Sequence, residues 1–299
     1  MEQRRMTVRI GFIGLGIMGR PMGLNLIKAA YPLSVYARRP DMMDALAHEG
    51  ATACESPQEV ASQSDVIITM VSDTPDVEHV ILGERGIIHG AQPDSVVIDM
   101  STISPSATRR MAETLSKQGI QMLDAPVSGG EQGAIDGTLS IMVGGKEEIF
   151  QRILPIFEVL GKNIVHTGEH GAGQVTKACN QIVIAQTLVA ISEAFILAKV
   201  SGVDPAKVRA ALLGGFAGSR VLETHGQRIL DHNFEPGFKA RLHQKDMRIS
   251  MEAAHEMGIA LPGAALAAQQ LNALIGEGLG EEDSSALATI LERVSGITI

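Results

Sequence analysis

The sequence has 299 residues, of which 45% are hydrophobic, so it can bury a large core and we expect two domains. The formal net charge of -9 argues against a nucleic-acid-binding protein, which would need a basic face. We find no apolar run of the length of a membrane span, and residues 1–5 precede the first predicted strand without a signal-peptide core, so we expect a soluble, cytoplasmic protein.

The first predicted strand, at residues 8–13, leads directly into the pattern G-x-G-x-x-G. In this pattern Gly14 permits a tight turn, Gly16 lets a pyrophosphate approach the backbone, and Gly19 lets the following helix pack closely. An amphipathic run at residues 22–30 follows, and the N-terminus of a helix offers N–H groups and a positive dipole to an anion. We therefore predict a dinucleotide-binding turn. Its residues are Gly14, Leu15, Gly16, Ile17, Met18 and Gly19.

The second predicted strand, at residues 33–36, is followed by two arginines where NAD-binding domains place an acidic residue for the ribose 2′-hydroxyl. Arg38 and Arg39 can instead pair with a 2′-phosphate through two parallel hydrogen bonds. We therefore favour NADP over NAD as the cofactor. In the alternative, an arginine merely lies in solvent at the strand end and Asp41 reaches the ribose.

Strands and helices alternate through the rest of the first half. Helix starts are marked by Ser56-Pro57 and Ser104-Pro105, and another helical stretch covers residues 146–160. Further strands are predicted at residues 65–71, 96–100, 120–125, 139–143 and 163–167. This alternation is typical of the α/β class, with a doubly wound, Rossmann-type parallel sheet that binds ligands at the carboxyl ends of its strands.

Candidate binding residues come directly after these strands. Residues 70–72 follow one strand and Ser101-Thr102 the next. Residues 128–130, with the sequence Ser-Gly-Gly, follow the strand at 120–125. A hydroxyl and successive backbone N–H groups there would suit a substrate carboxylate, and an ordinary glycine loop is the alternative interpretation.

From residue 170 onward the pattern is helical, with no convincing strand. A helical run extends to about residue 200, another helix starts at Asp204-Pro205, and later runs cover residues 245–257 and 263–275.

We therefore predict an NAD(P)-binding Rossmann domain at residues 1–169 and an all-helical domain for substrate binding and dimerisation at residues 170–299. The long helix would join them, with the active cleft between them. Residues 182–200 are too apolar all round for a helix that faces solvent, so we expect them to be buried, partly against another subunit. A homodimer or homotetramer is the expected assembly.

Lys177, Asn180 and Gln181 lie at helical spacing on one face of that long run. A lysine at a domain interface can be desolvated, which lowers its pKa and makes it a proton donor or acceptor. An amide side chain beside it could orient the amine or the reacting oxygen. Taken alone, a lysine is more often a solvated surface residue.

The cysteines and histidines give no sign of a metal site. Cys54 and Cys179 are far apart and lack metal-ligand spacing, so we expect unpaired thiols in a reducing compartment. The histidines lack H-x-x-x-H or H-E-x-x-H spacing on a helix, and we expect no metal.

Four segments together resemble the signatures of the β-hydroxyacid dehydrogenases. They are residues 12–19 (FIGLGIMG), 124–130 (DAPVSGG), 171–177 (GAGQVTK) with Asn180, and Lys245-Asp246. The segments span nearly the whole chain in the order and spacing of that family. The resemblance implies a metal-free oxidoreductase in which a nicotinamide cofactor supplies a hydride and the protein supplies a proton.

The resemblance also implies roles for the substrate-side residues. Lys177 would be the general acid in reduction and the general base in oxidation. Ser128, Gly129 and Gly130 would hold the substrate carboxylate, and Asn180 would assist Lys177 or the substrate. Gln181, a further candidate for substrate binding, stands where several relatives have Asn.

On the cofactor side, the resemblance implies that Val71, Ser72 and Thr102 contact the nicotinamide half, and Met70 is a further candidate for cofactor binding. Lys245 would reach the cofactor from the helical domain. Close relatives can carry Asp where Arg38 stands, so an NAD preference is not inherited.

Residues 128–131, 137–145 and 284–287 are most similar to the branch of the family that reduces 2-hydroxy-3-oxopropionate (tartronate semialdehyde) to glycerate in glyoxylate metabolism. The nearest alternative is a dehydrogenase of 3-hydroxyisobutyrate or another short semialdehyde. A decarboxylating sugar-acid dehydrogenase would need a larger helical domain, and an imine reductase would be expected to lack Lys177. A nucleotide sensor without turnover would need no proton donor.

Overall fold

The structure, a computed structural model, describes residues 8–299. The expectation for residues 1–5 therefore lies outside the described residues. The chain divides into two compact units, of which the first ends at Lys177 and the second comprises Ala178–Ile299. The domain boundary at residue 169 stays a prediction.

In the described part of the chain, a nine-stranded sheet forms the centre of the first unit. Its strands are β1 (Ile10–Ile13), β2 (Leu33–Tyr36), β3 (Thr52–Ala53), β4 (Val66–Thr69), β5 (Val96–Asp99), β6 (Gln121–Asp124), β7 (Val127–Ser128), β8 (Leu139–Gly144) and β9 (Gly161–Gly168). Their order is β3-β2-β1-β4-β5-β6-β8-β7, and β9 pairs with β8. Every predicted strand is present. Strands β3 and β7 were not predicted, because they have two residues each and are too short to show a hydropathy pattern.

Strands β1 to β6 are parallel, as the alternation of strands and helices predicted. The expectation of a parallel sheet is wrong at one edge, where β8 runs antiparallel to both β6 and β7. The segment between β7 and β8 is only about ten residues long, and a parallel crossover needs a dozen or more. Strand β9 is again parallel to β8.

Seven α-helices accompany the described strands. They are α1 (Gly19–Lys28), α2 (Asp41–His48), α3 (Pro57–Ser62), α4 (Thr74–Leu82), α5 (Pro105–Ser116), α6 (Gly130–Asp136) and α7 (Glu147–Leu160). The predicted helix starts at Ser56 and Ser104 are confirmed. Each serine hydroxyl accepts a backbone N–H from the first turn of its helix, and a proline follows it directly.

Strands β1, β4 and β5 are buried on both faces, because all four residues of each are buried and successive side chains point to opposite faces. Ile68 of β4 packs in a core cluster with Met22 of α1. Its neighbour Ile67 packs in a second cluster with Met111 of α5. The two layers of helices hold the carboxyl ends of the parallel strands in one row.

The second unit is helical, as predicted. Helix α8 (Ala172–Val200) begins in the first unit and continues into the second. The other helices of the second unit are α9 (Pro205–Leu213), α10 (Arg220–Leu230), α11 (Ala240–Glu256), α12 (Pro262–Gly276) and α13 (Leu287–Ser295). Met247 of α11, Leu271 of α12 and Leu287 of α13 are fully buried in its main core cluster. Within residues 178–299, all of which are described, the β-structure is limited to a single bridge between Lys239 and Asp283.

Helix α8 is long and apolar, with 29 residues and a mean hydropathy of 1.8 in its most apolar window. By length and composition it could cross a membrane, which corrects the expectation that no apolar run reaches that length. Core helices of soluble proteins pass the same test, and 44% of that window is buried within the chain. The burial expected for residues 182–200 is partial, since Val183, Leu197 and Val200 are more than half exposed.

Candidate active site

The three glycines of the turn between β1 and α1 differ in the space that surrounds them. Gly14 has a φ of +98°, and a Cβ there would overlap the Met70 carbonyl oxygen. A Cβ on Gly19 would overlap the Gly14 carbonyl oxygen, so only glycine lets the helix pack against the turn. A Cβ on Gly16 would meet nothing within 4 Å. The backbone at Gly16 is therefore open to a ligand, beside the N-terminus of α1.

The other residues of this turn divide between core and surface. Leu15 is buried in the core cluster that contains Met22, and Met18 packs against that cluster. Ile17 is 56% exposed. The turn thus presents its backbone and one apolar side chain outward while Leu15 anchors it, which fits a dinucleotide lying across the glycines.

Arg38 lies just beyond the end of β2 and forms an ion pair with Asp76 of α4, with 3.6 Å between Nη1 and Oδ1. The Arg38 side chain is 80% exposed, so this pair is weak and leaves the guanidinium available to another anion. Arg39 is also exposed, with its Nη2 3.2 Å from Met42 Sδ. Asp41 begins α2. Asp76 was not predicted as a neighbour of Arg38, because only the fold brings the two residues together.

A buried hydrogen-bond network around Asp99 joins the ends of β4 and β5. The Thr69 hydroxyl donates to Asp99 Oδ1 at 2.8 Å, and the Ser101 N–H donates to the same oxygen at 3.2 Å. The Val71 N–H donates to Ser101 Oγ at 3.0 Å. These bonds tie the segment that contains Val71 to the segment that contains Thr102.

Burial raises the pKa of Asp99 to about 7, against the opposing effect of its hydrogen bonds from Ser101 and Thr69. Asp99 Oδ2 has no hydrogen-bond partner among the described residues. Asp124 stands opposite Asp99 in the register of β5 and β6, and its charge adds to the rise. Asp99 therefore keeps its proton in part up to neutral pH.

Asp124, the last residue of β6, holds the first turn of α8. Its Oδ1 accepts the Gly171 N–H at 2.8 Å, and its Oδ2 accepts the Gln174 N–H at 3.0 Å. Burial raises the pKa of Asp124, and these two backbone hydrogen bonds oppose the rise. The Gln174 side chain reaches the segment after β5, where it accepts the Ile103 N–H at 3.0 Å and donates to the Ser101 carbonyl at 2.8 Å.

Lys177 lies on α8, one turn beyond Gln174, and is only 6% exposed. It is therefore not the solvated lysine that its residue type alone suggests. A lysine removed from water in this way can exchange a proton with a bound substrate more readily than a solvated one.

Ser128, Gly129 and Gly130 form a turn from strand to helix. Ser128 ends β7, opposite Ser140 of β8, and Gly130 begins α6. Gly129 has a φ of +139° and Gly130 a φ of +63°, conformations that favour glycine. Successive backbone N–H groups in such a turn can form a concave site for an anion, and the half-buried Ser128 hydroxyl adds a donor.

The second unit contains the remaining candidates. Asn180 Nδ2 donates to Gln181 Oε1 at 2.8 Å, and Gln181 Nε2 donates to Asp246 Oδ2 at 2.7 Å. Gln181 is 2% exposed, so both ends of its amide serve neighbouring side chains, and its role in substrate binding stays a prediction. Lys245 Nζ forms an ion pair with Asp246 Oδ1 at 3.1 Å, although the geometry is not that of a hydrogen bond.

The structure thus places the cofactor candidates of the first unit at the carboxyl ends of β2, β1, β4 and β5, which are neighbours in this order. The polar residues that organise this edge were missed as functional candidates. They are Asp76, Asp99, Asp124 and Gln174. A signal was present for three of them, because Asp99 and Asp124 each end an apolar strand with a carboxylate, and Asp124 and Gln174 lie in segments that resemble the family signatures.

No group of three or more His, Cys, Asp or Glu side chains among residues 8–299 is placed to hold a metal ion. Cys54 is buried, Cys179 is exposed, and neither is in a disulfide.

Two family models match the chain in succession. Residues 9–168 match the NAD binding domain of 6-phosphogluconate dehydrogenase, and residues 171–291 match the NAD-binding region of NADP-dependent 3-hydroxyisobutyrate dehydrogenase. The chain is 46% identical over 288 residues to the 2-hydroxy-3-oxopropionate reductase of Escherichia coli, which covers 96% of this chain and 98% of that protein. The chain belongs to the β-hydroxyacid dehydrogenase family.

Further relatives are similar to this β-hydroxyacid dehydrogenase in sequence and in structure. The 2-(hydroxymethyl)glutarate dehydrogenase of Eubacterium barkeri is 37% identical over 298 residues, covering 98% of each chain. The structure of Mycobacterium tuberculosis 3-hydroxyisobutyrate dehydrogenase with L-serine superposes with a TM-score of 0.89 at 32% identity, covering 96% of this chain and 99% of that one. The protein is therefore an NAD(P)-dependent oxidoreductase of hydroxy acids, and the resemblance found in the sequence is confirmed.

Proposed function

We propose that this β-hydroxyacid dehydrogenase reduces 2-hydroxy-3-oxopropionate to glycerate with NADPH. The observation that carries the proposal is the 46% identity, over nearly the whole chain, to a protein named for that activity. The presence of Lys177, Ser128 and Asn180 supports turnover rather than nucleotide sensing, since a sensor needs no proton donor.

The β1–α1 turn suits a dinucleotide, because the space over Gly16 would admit a pyrophosphate at the N-terminus of α1. Val71, Ser72 and Thr102 are the proposed contacts of the nicotinamide half, Met70 is a further candidate for cofactor binding, and Lys245 is the proposed cofactor contact of the second unit. When bound, the cofactor supplies the hydride.

The protein's own side chains would bind, orient and protonate the substrate. Ser128 and the backbone of Gly129 and Gly130 would hold its carboxylate, which fixes the aldehyde carbon for attack. Lys177 would donate a proton to the aldehyde oxygen as the carbonyl carbon is reduced, giving a primary alcohol, and would accept that proton in the reverse direction. Asn180 would orient Lys177 or the substrate.

We also propose a preference for NADP over NAD. Arg38 and Arg39 are exposed at the end of β2, where a 2′-phosphate would meet two guanidinium groups. The ion pair of Arg38 with Asp76 is weak, so a doubly charged phosphate could compete with Asp76 for the guanidinium.

The test is a comparison of kcat/KM for tartronate, methylmalonate and succinate semialdehydes, each with NADPH and with NADH. We expect tartronate semialdehyde with NADPH to be the best pair. A higher kcat/KM for another semialdehyde would overturn the proposed substrate but not the family, and equal values with NADH would overturn the 2′-phosphate argument.

A 3-hydroxyisobutyrate dehydrogenase is the second candidate. It is favoured by the family model that matches residues 171–291 and by the M. tuberculosis structure. The same substrate comparison separates the two, because methylmalonate semialdehyde is the product of that oxidation.

We propose in addition a soluble, cytoplasmic homodimer or homotetramer with a domain boundary near residue 169. The assembly is supported by the exposed apolar side chains of α8, among them Val183 and Leu197, which a subunit contact would cover.

A further inference from the structure

Gln174 makes a pair of side-chain hydrogen bonds that enclose a single residue. Its Oε1 accepts the N–H of Ile103, and its Nε2 donates to the carbonyl of Ser101, at 3.0 and 2.8 Å. The residue between these two groups is Thr102. The amide of Gln174 therefore pairs with the backbone on both sides of Thr102, as a neighbouring strand would do.

The backbone of Gln174 is also held in place by a hydrogen bond. The Gln174 N–H is bound by Asp124 Oδ2 at 3.0 Å, and Asp124 also binds the Gly171 N–H. Gln174 is 1% exposed, so these bonds are shielded from water and each is costly to leave unmade. Asp124 thus anchors the helix start to β6, and Gln174 anchors it to the segment after β5.

Helical geometry connects this anchor to the proposed proton donor. Lys177 lies three residues after Gln174 on α8, so the two side chains lie on the same side of the helix, one turn apart. A shift of the Gln174 backbone would move Lys177 with it, because both belong to one hydrogen-bonded helix.

We propose that Gln174 is a positioning residue that fixes the distance between Thr102, where the nicotinamide half would bind, and Lys177, which would donate the proton. Hydride transfer and proton transfer act on the same carbonyl group, so the nicotinamide and the Lys177 amine must both be correctly placed around it. A displacement of a reacting group by about 1 Å can lower the rate about a hundredfold. The inference rests on the proposed roles of Thr102 and Lys177, and it does not depend on which semialdehyde is the substrate.

The test compares Gln174→Met, which keeps the length of the side chain and removes both hydrogen bonds, with Thr176→Ala, two residues further along the same helix. Thr176 is a matched control because its hydroxyl bonds only to Ala172 of its own helix among the hydrogen bonds observed. The measurements are the dissociation constant for NADPH without substrate, kcat and KM with the best semialdehyde, and the deuterium isotope effect of hydride transfer.

For Gln174→Met we expect kcat to fall at least about tenfold, the NADPH dissociation constant to rise several-fold, and the isotope effect on kcat to increase. The KM for the semialdehyde should change little, because residues 128–130 are untouched. Thr176→Ala should behave as the wild type. The proposal is overturned if Gln174→Met keeps the wild-type kcat and NADPH affinity. It is also overturned if the fall in kcat is fully explained by a lower melting temperature, that is, by a smaller fraction of folded enzyme.

A second variant keeps the test decisive if Gln174→Met folds poorly. In Gln174→Glu the protonated carboxylic acid can still accept from Ile103 and donate to Ser101, whereas the carboxylate cannot donate. The ionisable groups around this position are Asp124, which binds the Gln174 N–H, Asp99, which binds the Ser101 N–H, Lys177, one helical turn away, and His170, which acts on Asp124. The kcat of Gln174→Glu, divided by the wild-type kcat at the same pH, should approach 1 where the introduced carboxyl group is protonated and should fall where it ionises. A ratio near 1 at every pH would mean that the acid stays protonated and keeps both bonds, whereas a low ratio that does not change with pH would contradict the proposal.

Failure of this test differs from failure of the proposed function. The NADPH titration needs no substrate, and the kinetic arm uses whichever semialdehyde the wild type reduces fastest. A wrong substrate assignment would therefore leave the comparison between the variants intact.

Discussion

Lys177 illustrates what the environment of one residue adds to its chemistry. The sequence places a lysine beside two amides on a helix, a pattern that a solvated surface would also accommodate. The structure removes the side chain from water and sets it one turn beyond the anchored Gln174. These surroundings fit the proposed role as proton donor, because a lysine removed from water can exchange a proton with a bound substrate more readily than a solvated one.

Replacing Lys177 with alanine should lower kcat by roughly a hundredfold to ten-thousandfold, the usual contribution of a general acid. The dissociation constant for NADPH should change little, because the β1–α1 turn is unaltered. Steady-state kinetics and a fluorescence titration of NADPH measure the two quantities. Lys199→Ala, at an exposed position of the same helix, is the matched control, and a Lys177→Ala enzyme with near wild-type kcat would refute the proposed role.

At the scale of elements, the β1–α1 turn shows how a strand and a helix combine into a binding feature. Strand β1 pairs with β2 on one side and β4 on the other, and these two strands hold its carboxyl end in the middle of the sheet. The turn is tight because Gly14 adopts a positive φ, and the helix approaches because Gly19 has no side chain. A Cβ on the third glycine, Gly16, would meet neither the turn nor the helix, so the open space there is available to the proposed cofactor.

Substitution of Gly19 or Gly16 by alanine should therefore have different effects, on the free energy of unfolding in one case and on NADPH affinity in the other. Gly19→Ala should lower the free energy of unfolding by about 1–3 kcal/mol, because its methyl group meets backbone. Gly16→Ala should unfold like the wild type and bind NADPH at least about tenfold more weakly, because the methyl group occupies the approach of the pyrophosphate.

Urea unfolding and NADPH titration provide the measurements. Gly276→Ala, which also has open space around its Cβ but lies at the end of α12, is the control. Equal NADPH affinity of Gly16→Ala and Gly276→Ala would show that the open space over Gly16 does not take the cofactor.

At the scale of the whole molecule, the buried carboxyl groups at the sheet edge connect stability to pH. In the unfolded chain the pKa of Asp99 returns to 3.8, whereas in the folded protein burial raises it to about 7. Between these two values the folded protein binds more protons than the unfolded chain. The contribution of Asp99 to stability is therefore complete below pH 3.8 and is lost as the pH rises to about 7.

Asp99→Asn should abolish this dependence, because the amide oxygen can accept the same bonds from Thr69 and Ser101 without titrating. The unfolding free energy of the wild type, minus that of Asp99→Asn, should fall with rising pH by on the order of 1 kcal/mol per pH unit within that window. Urea unfolding at a series of pH values provides the measurement. Glu49→Gln, at an exposed position, should give a constant difference, and a constant difference for Asp99→Asn would mean that Asp99 is ionised throughout.

Much of the architecture could be predicted from the sequence. The strand, glycine turn and helix at residues 8–30, the alternation up to residue 168 and the helical second half all follow from patterns within short windows. The antiparallel β8 could not, because the direction of a strand depends on how its connections lie in three dimensions. Two-residue strands such as β3 carry too few side chains for a period to be visible.

The sequence by itself determined which local structures form and which reactive groups the chain contains, since hydropathy periods and glycine patterns act over a few residues. Only the tertiary structure decided the environment of those groups. Gln174 meets Ser101 across 73 positions, and Arg38 meets Asp76 across strands that are not consecutive in the sheet. No pattern in a short window encodes such contacts, because burial and pKa depend on residues that become neighbours only when the chain has folded.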